Sequence, residues 1–193
     1  MQLLIPPYLK KLKSLGLARE IPNISEENAE YLKNLIRERN PRHILEIGTA
    51  NGYSTLHFAM ILPEGSDITT IEQAWNMHND AVTHFKNCKL KHIHALWWDA
   101  KRVIPILQDE YFDFVFIDAM KKEYLDYLLW VLPKCTPDAL IVIDDVEKFR
   151  DKMENLYIWL EVKKIPYTIE KTDIDDSIML IEAKNLSLWE LFS

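Results

Sequence analysis

The distribution of apolar residues along the chain changes at residue 43. From there onward, short runs rich in β-branched and aromatic residues alternate with longer segments whose apolar residues recur at three- and four-residue spacing. The short runs are typical of strands buried on both faces of a sheet, and the longer spacing is the period of a helix packed on one side. This alternation predicts an α/β fold, a mostly parallel sheet with helices on both faces. The predicted strands are residues 43–47, 67–72, 92–96, 112–117, 139–144, 167–170 and 177–182.

The predicted helices fill most of the gaps between these strands. Ahead of the sheet, Ser25 begins a Ser-x-x-Asn helix start, and Pro41 closes that helix after Arg39. Only a turn over residues 172–176 separates the last two strands, so they form a hairpin and one of them runs antiparallel to the rest. No repeat or linker divides the sequence, which predicts one domain over residues 1–193 with a helical cap segment over residues 1–40. The other predicted helices are residues 52–62, 75–87, 100–107, 122–132 and 146–163.

The charge balance narrows the classes of partner. The chain has 23 basic and 30 acidic side chains, a formal net charge of −7, and a pI near 5.4. Such a balance excludes the global positive field of a protein that binds nucleic acids tightly and nonspecifically. Lys10, Lys11 and Lys13 with Arg19 are the local basic candidate, and a solvated helix face is the favoured interpretation of them.

The cysteines and the N-terminal segment bear on location. Cys88 and Cys135 are too few and too far apart for a metal framework or a secreted disulfide scaffold. The N-terminal apolar patch is short and is broken by Pro6 and Pro7, and no apolar span of 18 residues follows. We therefore expect no signal peptide and no membrane anchor, and a cytoplasmic protein.

The most informative segment is ILEIGTANGYST at residues 44–55, where a strand ends in a glycine-containing turn. Glu46 lies two residues before Gly48, and Gly52 follows at the start of a helix. Glycine lets backbone N–H groups and the N-terminus of the next helix approach a ligand closely. A dinucleotide site places three glycines around a pyrophosphate, whereas this pattern has two and adds an acid, which suits a cationic ligand without phosphate. The segment resembles motif I of class I S-adenosylmethionine (SAM) dependent methyltransferases, with an ordinary α/β turn as the alternative.

Acidic residues stand at or just after the ends of most of the predicted parallel strands, where ligands bind in this class of fold. Carboxylates at one rim repel one another unless cations or donors lie between them, so we expect a cationic cofactor and a divalent metal. Glu72 suits the two hydroxyls of a ribose, with capping of the following helix as the alternative. Asp99 faces an adenine amino group or caps its own helix. Trp97 and Trp98 are candidates for the adenine wall, with a core position favoured for Trp97.

A second group of chemical residues lies in FDFVFIDAMKKEYLDYL and ALIVIDDV. Asp118 ends one strand, Lys121 stands three residues later at the head of the next helix, and Asp144 and Asp145 end the neighbouring strand. Three carboxylates can supply oxygen ligands to Mg²⁺, which keeps positions open for substrate oxygens. A metal bound to a substrate hydroxyl lowers its pKa, and a lysine beside it takes the proton or stabilises the oxyanion. An ordinary surface lysine is the alternative for Lys121.

Together these segments resemble the catechol O-methyltransferase-like family, which includes caffeoyl-CoA methyltransferases and small bacterial O-methyltransferases. The resemblance runs from about residue 21 to residue 183 and rests on IPNISEENAEYLKNLI, ILEIGTANGYST, ITTIEQ and DAMKKEY. It implies a Rossmann-like seven-stranded sheet of five β/α units and a hairpin, Lys121 as catalytic base, and a homodimer. The implied metal ligands are Asp118, Asp144 and Asp145. The residues implied to bind SAM are Glu46, Gly48, Ser54, Glu72, Asp99, Ala100 and Asp118.

Three features of the sequence depart from that family's pattern. Asp145 stands where the family has asparagine, which keeps an oxygen ligand but adds a charge that bears on metal preference. Met120 stands where the animal catechol enzymes carry tryptophan, so an aromatic wall for a catechol is not guaranteed. The segment after Asp145 lacks the longer insertion that covers the substrate in many relatives. We therefore expect an acceptor pocket that is more open or is completed by another subunit.

The sequence thus predicts SAM-dependent methyl transfer to a hydroxyl of a small acceptor, a phenol among the candidates, with the help of Mg²⁺. Two alternatives stay open. One is methylation of hydroxyuridine in tRNA, which an open pocket would admit. The other is a non-catalytic SAM-binding protein in which the rim acids only cap helices. The apolar tail NLSLWELFS packs either on a partner subunit or on its own sheet.

Overall fold

The computed structural model describes residues 5–174 and 177–186. Within these ranges seven strands form a sheet in the order β3-β2-β1-β4-β5-β7-β6. The first five strands pair in parallel, and β7 is antiparallel to both β5 and β6. The predicted mostly parallel seven-stranded sheet with a terminal hairpin is confirmed. The strands are β1 (His43–Ile47), β2 (Asp67–Glu72), β3 (Ile93–Trp97), β4 (Phe112–Ile117), β5 (Cys135–Ile143), β6 (Thr168–Lys171) and β7 (Ser177–Glu182).

Helices cover both faces of the sheet, as the alternation predicts. Adjacent residues of a strand point to opposite faces, so Phe114 and Phe116 of β4 pack with the first four helices while Val115 and Ile117 pack with the last three. Each face therefore has its own buried core. The helices are α1 (Ile5–Ala18), α2 (Glu26–Arg39), α3 (Tyr53–Ala59), α4 (Trp75–Asn87), α5 (Ala100–Val103), α6 (Tyr124–Val131) and α7 (Glu154–Val162). No helix in the described part of the chain has the length and apolarity to cross a membrane.

The helices that precede the sheet begin and end at the signals that the sequence contains. Ser25 caps α2, and its Oγ accepts a hydrogen bond of 3.0 Å from the backbone N–H of Asn28. Asn40 ends the helix in a left-handed conformation. Lys10 and Lys11 are exposed on α1, in agreement with the predicted solvated face, whereas Lys13 of the same predicted face is half-buried and lies 3.1 Å from the carboxylate of Glu26.

The strand order reverses between β1 and β4, which lie side by side and run in parallel. Open α/β sheets bind ligands in the crevice at the carboxyl ends of the strands at this point. The loop after β1 stays close to β2, because the N–H of Gly48 donates to the carbonyl of Ile71 at 3.0 Å. The loop after β4 starts beside β1, because the N–H of Asp118 donates to the carbonyl of Ile47 at 2.9 Å. The fold thus brings both loops to one crevice.

Several predicted bounds are wrong: the strand predicted over residues 139–144 begins at Cys135, and the helix predicted over residues 52–62 ends at Ala59. The helix predicted over residues 146–163 begins only at Glu154, after turns and a 3-10 helix at Arg150–Lys152. The preceding Met153 has a φ of −125°, outside the helical range, and its buried side chain anchors the segment to the core. The helix predicted over residues 100–107 ends at Val103 and continues as a 3-10 turn, where Pro105 has no N–H to donate.

The core position predicted for Trp97 is also wrong, since this side chain is 43% exposed. It lies on β3, the edge strand of the sheet, where helices cover the side chains less completely. In the tail, Leu186 is buried with the core that faces α5 to α7. The tail residues Leu188, Trp189, Leu191 and Phe192 lie outside the described residues, as do residues 175 and 176 of the hairpin turn.

Candidate active site

A cavity of about 750 Å³ opens at the carboxyl ends of the parallel strands. Its walls come from the loops after β1, β2, β3, β4 and β5 and from the connection between α1 and α2. The loops after β1 and β4 form its floor. Most of the predicted site residues line this cavity. Glu46 and Asp99 are the two that do not. The predicted residues in its lining are Gly48, Ser54, Glu72, Ala100, Asp118, Lys121, Asp144 and Asp145.

Glu46 lies beneath the floor of the cavity and is fully buried. Its two carboxyl oxygens accept hydrogen bonds from the hydroxyls of Ser54 at 2.6 Å, Thr55 at 2.5 Å and Thr70 at 2.6 Å. Burial raises the pKa of Glu46 to about 7, against the three hydroxyl donors, which lower it, while the nearby charge of Asp118 adds to the rise. Glu46 therefore ties the start of α3 to β1 and β2, and it reaches the cavity through Ser54.

Gly48 occupies a position that no other residue fits. Its φ is +101°, and a Cβ built on it would lie 1.9 Å from the carbonyl oxygen of Asp118. The backbones after β1 and β4 therefore touch at this point, which sets the distance between the two halves of the cavity floor.

Glu72, at the end of β2, also holds the loop after β1 in place. Its Oε2 accepts from the N–H of Ala50 at 2.9 Å, and its Oε1 accepts from the N–H of Ala74, the residue that caps α4, at 2.7 Å. The predicted alternative, an acid that caps the following helix, thus describes part of its role. A carboxylate has about four acceptor positions, so Glu72 keeps capacity for two ligand hydroxyls at the cavity wall.

The third strand end supplies an aromatic wall. Asp99 caps α5, since its side chain accepts from the N–H of Lys101 at 2.9 Å. Trp98 lines the cavity and is 50% exposed, with its ring 5.5 Å from that of Trp97. A half-exposed indole beside Glu72 can stack on a flat heterocycle.

Lys121 lies at the opposite end of the cavity and is held by three oxygen atoms. Its Nζ is 2.9 Å from Asp118 Oδ1, 2.8 Å from Asp145 Oδ2 and 2.6 Å from the hydroxyl of Tyr124. Burial by itself would lower the pKa of Lys121, but the charges of Asp118 and Asp145 outweigh it and hold that pKa well above its ordinary value. The predicted surface alternative for Lys121 does not describe this side chain, of which 14% is exposed.

Asp144 is the most enclosed of the three carboxylates at this end, with 2% of its surface exposed. Its Oδ1 accepts from the side-chain amide of Asn28 at 3.3 Å, and Asn28 in turn accepts from the hydroxyl of Thr172. One acid after β5 thus connects the cap helix α2 with the start of the terminal hairpin. Neither Asn28 nor Thr172 carries a sequence signal for this contact, because they lie 116 residues or more from their partners along the chain.

The residues predicted to hold a metal do not fit one as they stand. Asp118 and Asp145 both bind the Lys121 ammonium, which takes the space where their oxygens would converge on a cation. Over residues 5–174 and 177–186, no group of three or more His, Cys, Asp and Glu side chains is arranged to hold a metal ion. The predicted Mg²⁺ therefore stays a prediction.

The walls around Lys121 are partly apolar. Met120, 47% exposed, and Phe149 line the cavity near it, and Phe149 lies 5.7 Å from the lysine nitrogen. Lys148 also lines the cavity, 5.6 Å from the same ring. The sequence analysis did not identify Phe149 as a cavity residue, because it predicted a helix over this segment. In the structure Phe149 lies in a turn before α7 and lines the cavity.

A family model described as O-methyltransferase matches residues 5–154. Among curated proteins, the chain is similar to a catechol O-methyltransferase of Niastella koreensis, with 31% identity over 64% of this chain and 58% of the relative. It is also similar to a catechol O-methyltransferase of Mycobacterium tuberculosis, with 30% identity over 72% of this chain and 65% of the relative. The matches thus span less than two thirds of these relatives' length.

Among solved structures, an O-methyltransferase from Bacillus cereus in complex with SAH superposes with a TM-score of 0.81. The two chains share 25% identity, and the superposition covers 93% of each. The family resemblance that the sequence motifs predict is confirmed by the family model, and the Rossmann-like sheet by this superposition.

Proposed function

This chain belongs to the O-methyltransferase family, and on that premise we propose that it transfers a methyl group from SAM to a hydroxyl of a small acceptor. The proposal rests on one observation, a cavity whose two ends differ in their chemistry. One end has the glycine loop and Glu72, and the other has Lys121 with its carboxylates. A cofactor bound at the first end would point its reactive group toward the second.

The cofactor end has the chemistry that an adenosyl group requires. We assign the ribose hydroxyls to the free acceptor positions of Glu72 and the adenine to the edge formed by Trp98, Asp99 and Ala100. Gly48 and Ser54 would contact the amino acid part of SAM, and Glu46 would position Ser54 from below. The B. cereus structure similar to this chain contains SAH, which supports an adenosyl cofactor in this chain.

Lys121 is the proposed catalytic residue at the acceptor end. A lone pair of the acceptor oxygen forms the new bond to the methyl carbon, and the carbon–sulfur bond breaks with its electron pair moving to sulfur. The acceptor's proton passes to one of the two carboxylates that hold Lys121. Because each ammonium hydrogen already has an acceptor nearby, the geometry supports stabilisation of the acceptor oxygen by Lys121 more than the predicted base role.

The acceptor class follows from the walls and from the relatives. Phe149 and Met120 give the acceptor end apolar surface beside Lys121, which suits a hydroxylated aromatic ring. Two curated relatives are named as catechol O-methyltransferases, which supports a phenolic acceptor. Mg²⁺ is not part of the proposed mechanism, because two of the three residues predicted to hold it, Asp118 and Asp145, bind an ammonium. If a divalent metal bound at Asp118, Asp144 and Asp145, it would lower the pKa of the acceptor hydroxyl. The cytoplasmic location and the homodimer stay predictions.

Calorimetry with SAM and with SAH tests the cofactor assignment, and Glu72→Gln is the variant to compare with the native chain. We expect micromolar binding that weakens markedly in the variant, since an amide cannot accept from two hydroxyls and two backbone N–H groups as a carboxylate does. Absence of SAM binding to the native chain would remove the proposal.

A screen for uptake of labelled methyl groups tests the reaction. Catechols, caffeoyl esters and bulk tRNA, each offered with SAM, separate the small-acceptor reaction from the tRNA alternative. Binding of SAM without methyl transfer to any hydroxyl in the screen would favour the non-catalytic alternative.

A further inference from the structure

The nitrogen of Lys121 has a full set of hydrogen-bond partners. An ammonium carries three donors, and three oxygens lie within 2.9 Å of this one, from Asp118, Asp145 and Tyr124. These oxygens come from three separate parts of the fold, namely the ends of β4 and β5 and the start of α6. The lysine is therefore a central cation of this part of the site and not a side chain at its border.

The same carboxylates are the ones that a divalent metal would need. Mg²⁺ binds oxygen ligands at 2.0–2.1 Å in a near-octahedral arrangement, so its ligands must converge on one point. Asp118 and Asp145 instead converge on Lys121, and the third candidate, Asp144, accepts from the amide of Asn28. A metal ion that entered between Asp118 and Asp145 would meet a positive charge already there.

Two features favour the ammonium at this position. Asp145 offers a carboxylate, whereas an asparagine at this position would offer only a neutral oxygen, and charge-assisted hydrogen bonds are the stronger kind. The ring of Phe149 lies 5.7 Å from the lysine nitrogen and adds a cation–π contact.

We propose that the Lys121 ammonium is a built-in cation that takes the place of a divalent metal between Asp118 and Asp145. It holds the two carboxylates at a fixed separation, and it supplies the positive charge beside the acceptor oxygen. The role of that charge in methyl transfer rests on the proposed function. The prediction about metal binding does not rest on the proposed function, because it concerns only the carboxylates and the lysine.

The experiment is a titration of the full chain with Mn²⁺, followed by the loss of the free-ion signal in electron paramagnetic resonance. Mn²⁺ is the probe because it prefers the same oxygen ligands as Mg²⁺. We expect no saturable binding below the millimolar range for the native chain. Lys121→Met leaves Asp118 and Asp145 without their ammonium, and we expect it to bind Mn²⁺ at least tenfold more tightly than the native chain.

The matched control is Lys148→Met, which removes another lysine from the lining of the same cavity, one that lies against the ring of Phe149. We expect it to behave as the native chain does. Asp145→Asn is a second variant that removes one carboxylate and leaves Lys121 paired with Asp118, and it keeps the inference testable if Lys121→Met does not fold. We expect this variant to gain no Mn²⁺ binding while Lys121 remains.

Saturable micromolar binding of Mn²⁺ to the native chain would overturn the inference, as would a folded Lys121→Met that binds no more tightly than the control. Methyl transfer that chelation abolishes and Mg²⁺ restores would also overturn it, while leaving the proposed function intact. Methyl transfer that persists in a chelator supports it. If SAM does not bind at all, the proposed function fails, and the Mn²⁺ titration still decides the inference.

Discussion

Glu46 and Asp118 lie near the carboxyl ends of adjacent parallel strands, and their negative charges have different surroundings. Glu46 is fully buried, and its three hydrogen-bond donors are neutral hydroxyls. Asp118 lies at the cavity wall and accepts from the ammonium of Lys121. Burial without a cation raises the pKa of Glu46 to about 7, whereas Asp118 has the ammonium of Lys121 2.9 Å from its Oδ1.

The difference shows how one row of strand-end acids serves two purposes. Hydroxyl donors satisfy a buried carboxyl without introducing charge, so the group around Glu46 shapes the loop that would hold the cofactor. An ammonium between carboxylates keeps charge where a reaction needs it, at the cost of desolvating both partners. Gly48 separates the two arrangements, because its Cα lies against the carbonyl of Asp118.

The largest effect is expected from Gly48→Ala, which would push the two strand ends apart. The new Cβ would meet the carbonyl oxygen of Asp118 at 1.9 Å, in a backbone conformation with φ of +101°. We expect a loss of roughly 3 to 5 kcal/mol in the free energy of unfolding, measured by urea denaturation. Gly65→Ala is the matched control, since its φ is +82° but the nearest atom is 3.6 Å away. Equal losses in the two variants would show that backbone strain alone matters.

Lys121→Met tests the ion pair between Lys121 and Asp118. Loss of a preorganised cation beside the acceptor oxygen is expected to reduce the rate of methyl transfer roughly 10²- to 10³-fold. The rate is measured at saturating SAM on the best acceptor from the screen. Lys122→Met is the control, because Lys122 is exposed and lies outside the cavity lining, and its rate should match the native one. A native rate for Lys121→Met would contradict the assigned role.

Glu46→Gln tests the buried Glu46 carboxyl through the pH dependence of the free energy of unfolding. The pKa of Glu46 rises from an unfolded value of 4.5 to about 7, so the folded state binds more protons between these values. Stability from this group is therefore present below pH 4.5 and is lost as the pH rises toward 7, by about 3 kcal/mol. Glutamine does not titrate, so the variant should lack this loss in urea melts from pH 4.5 to 7. A pH profile identical to that of the native chain would show that Glu46 is already charged.

His57 gives a smaller effect with the opposite sign. This buried imidazole on α3 lies near Lys13, Glu26, Glu30 and Lys33 of the cap helices, and burial lowers its pKa from 6.5 to about 4. The unfolded state then binds more protons between these values, so stability is lost as the pH falls from 6.5 toward 4, by about 2 kcal/mol at pH 4.5.

We expect His57→Phe to lose this acid sensitivity in urea melts. In the native chain the opposite slopes of Glu46 and His57 should nearly cancel between pH 4.5 and 6.5, and each variant should reveal the slope of the remaining group. Should both variants keep the native profile, the two pKa shifts are smaller than burial suggests.

Local patterns were sufficient for much of the sheet and for part of the site. The predicted bounds of β1, β2, β4 and β7 agree with the structure, because these strands are rich in β-branched or aromatic residues. The pair Asp118 and Lys121 can also be predicted from sequence, since Lys121 stands three positions after Asp118 at the start of a helix. The failure at residues 146–153 has a different origin. Apolar residues at helical spacing occur there, but they anchor a loop at the cavity.

The sequence by itself determined the strand-end acids, the glycine turn and the family, because each depends on residues close together in the chain. Only the tertiary structure decided what those acids contact. Glu46 meets Thr70 because β1 pairs with β2, Lys121 meets Asp145 because β4 pairs with β5, and Asp144 meets Asn28 because the cap helix packs against the sheet. Charge and hydrogen bonding depend on distance in space, and the strand order, which no local pattern encodes, sets that distance.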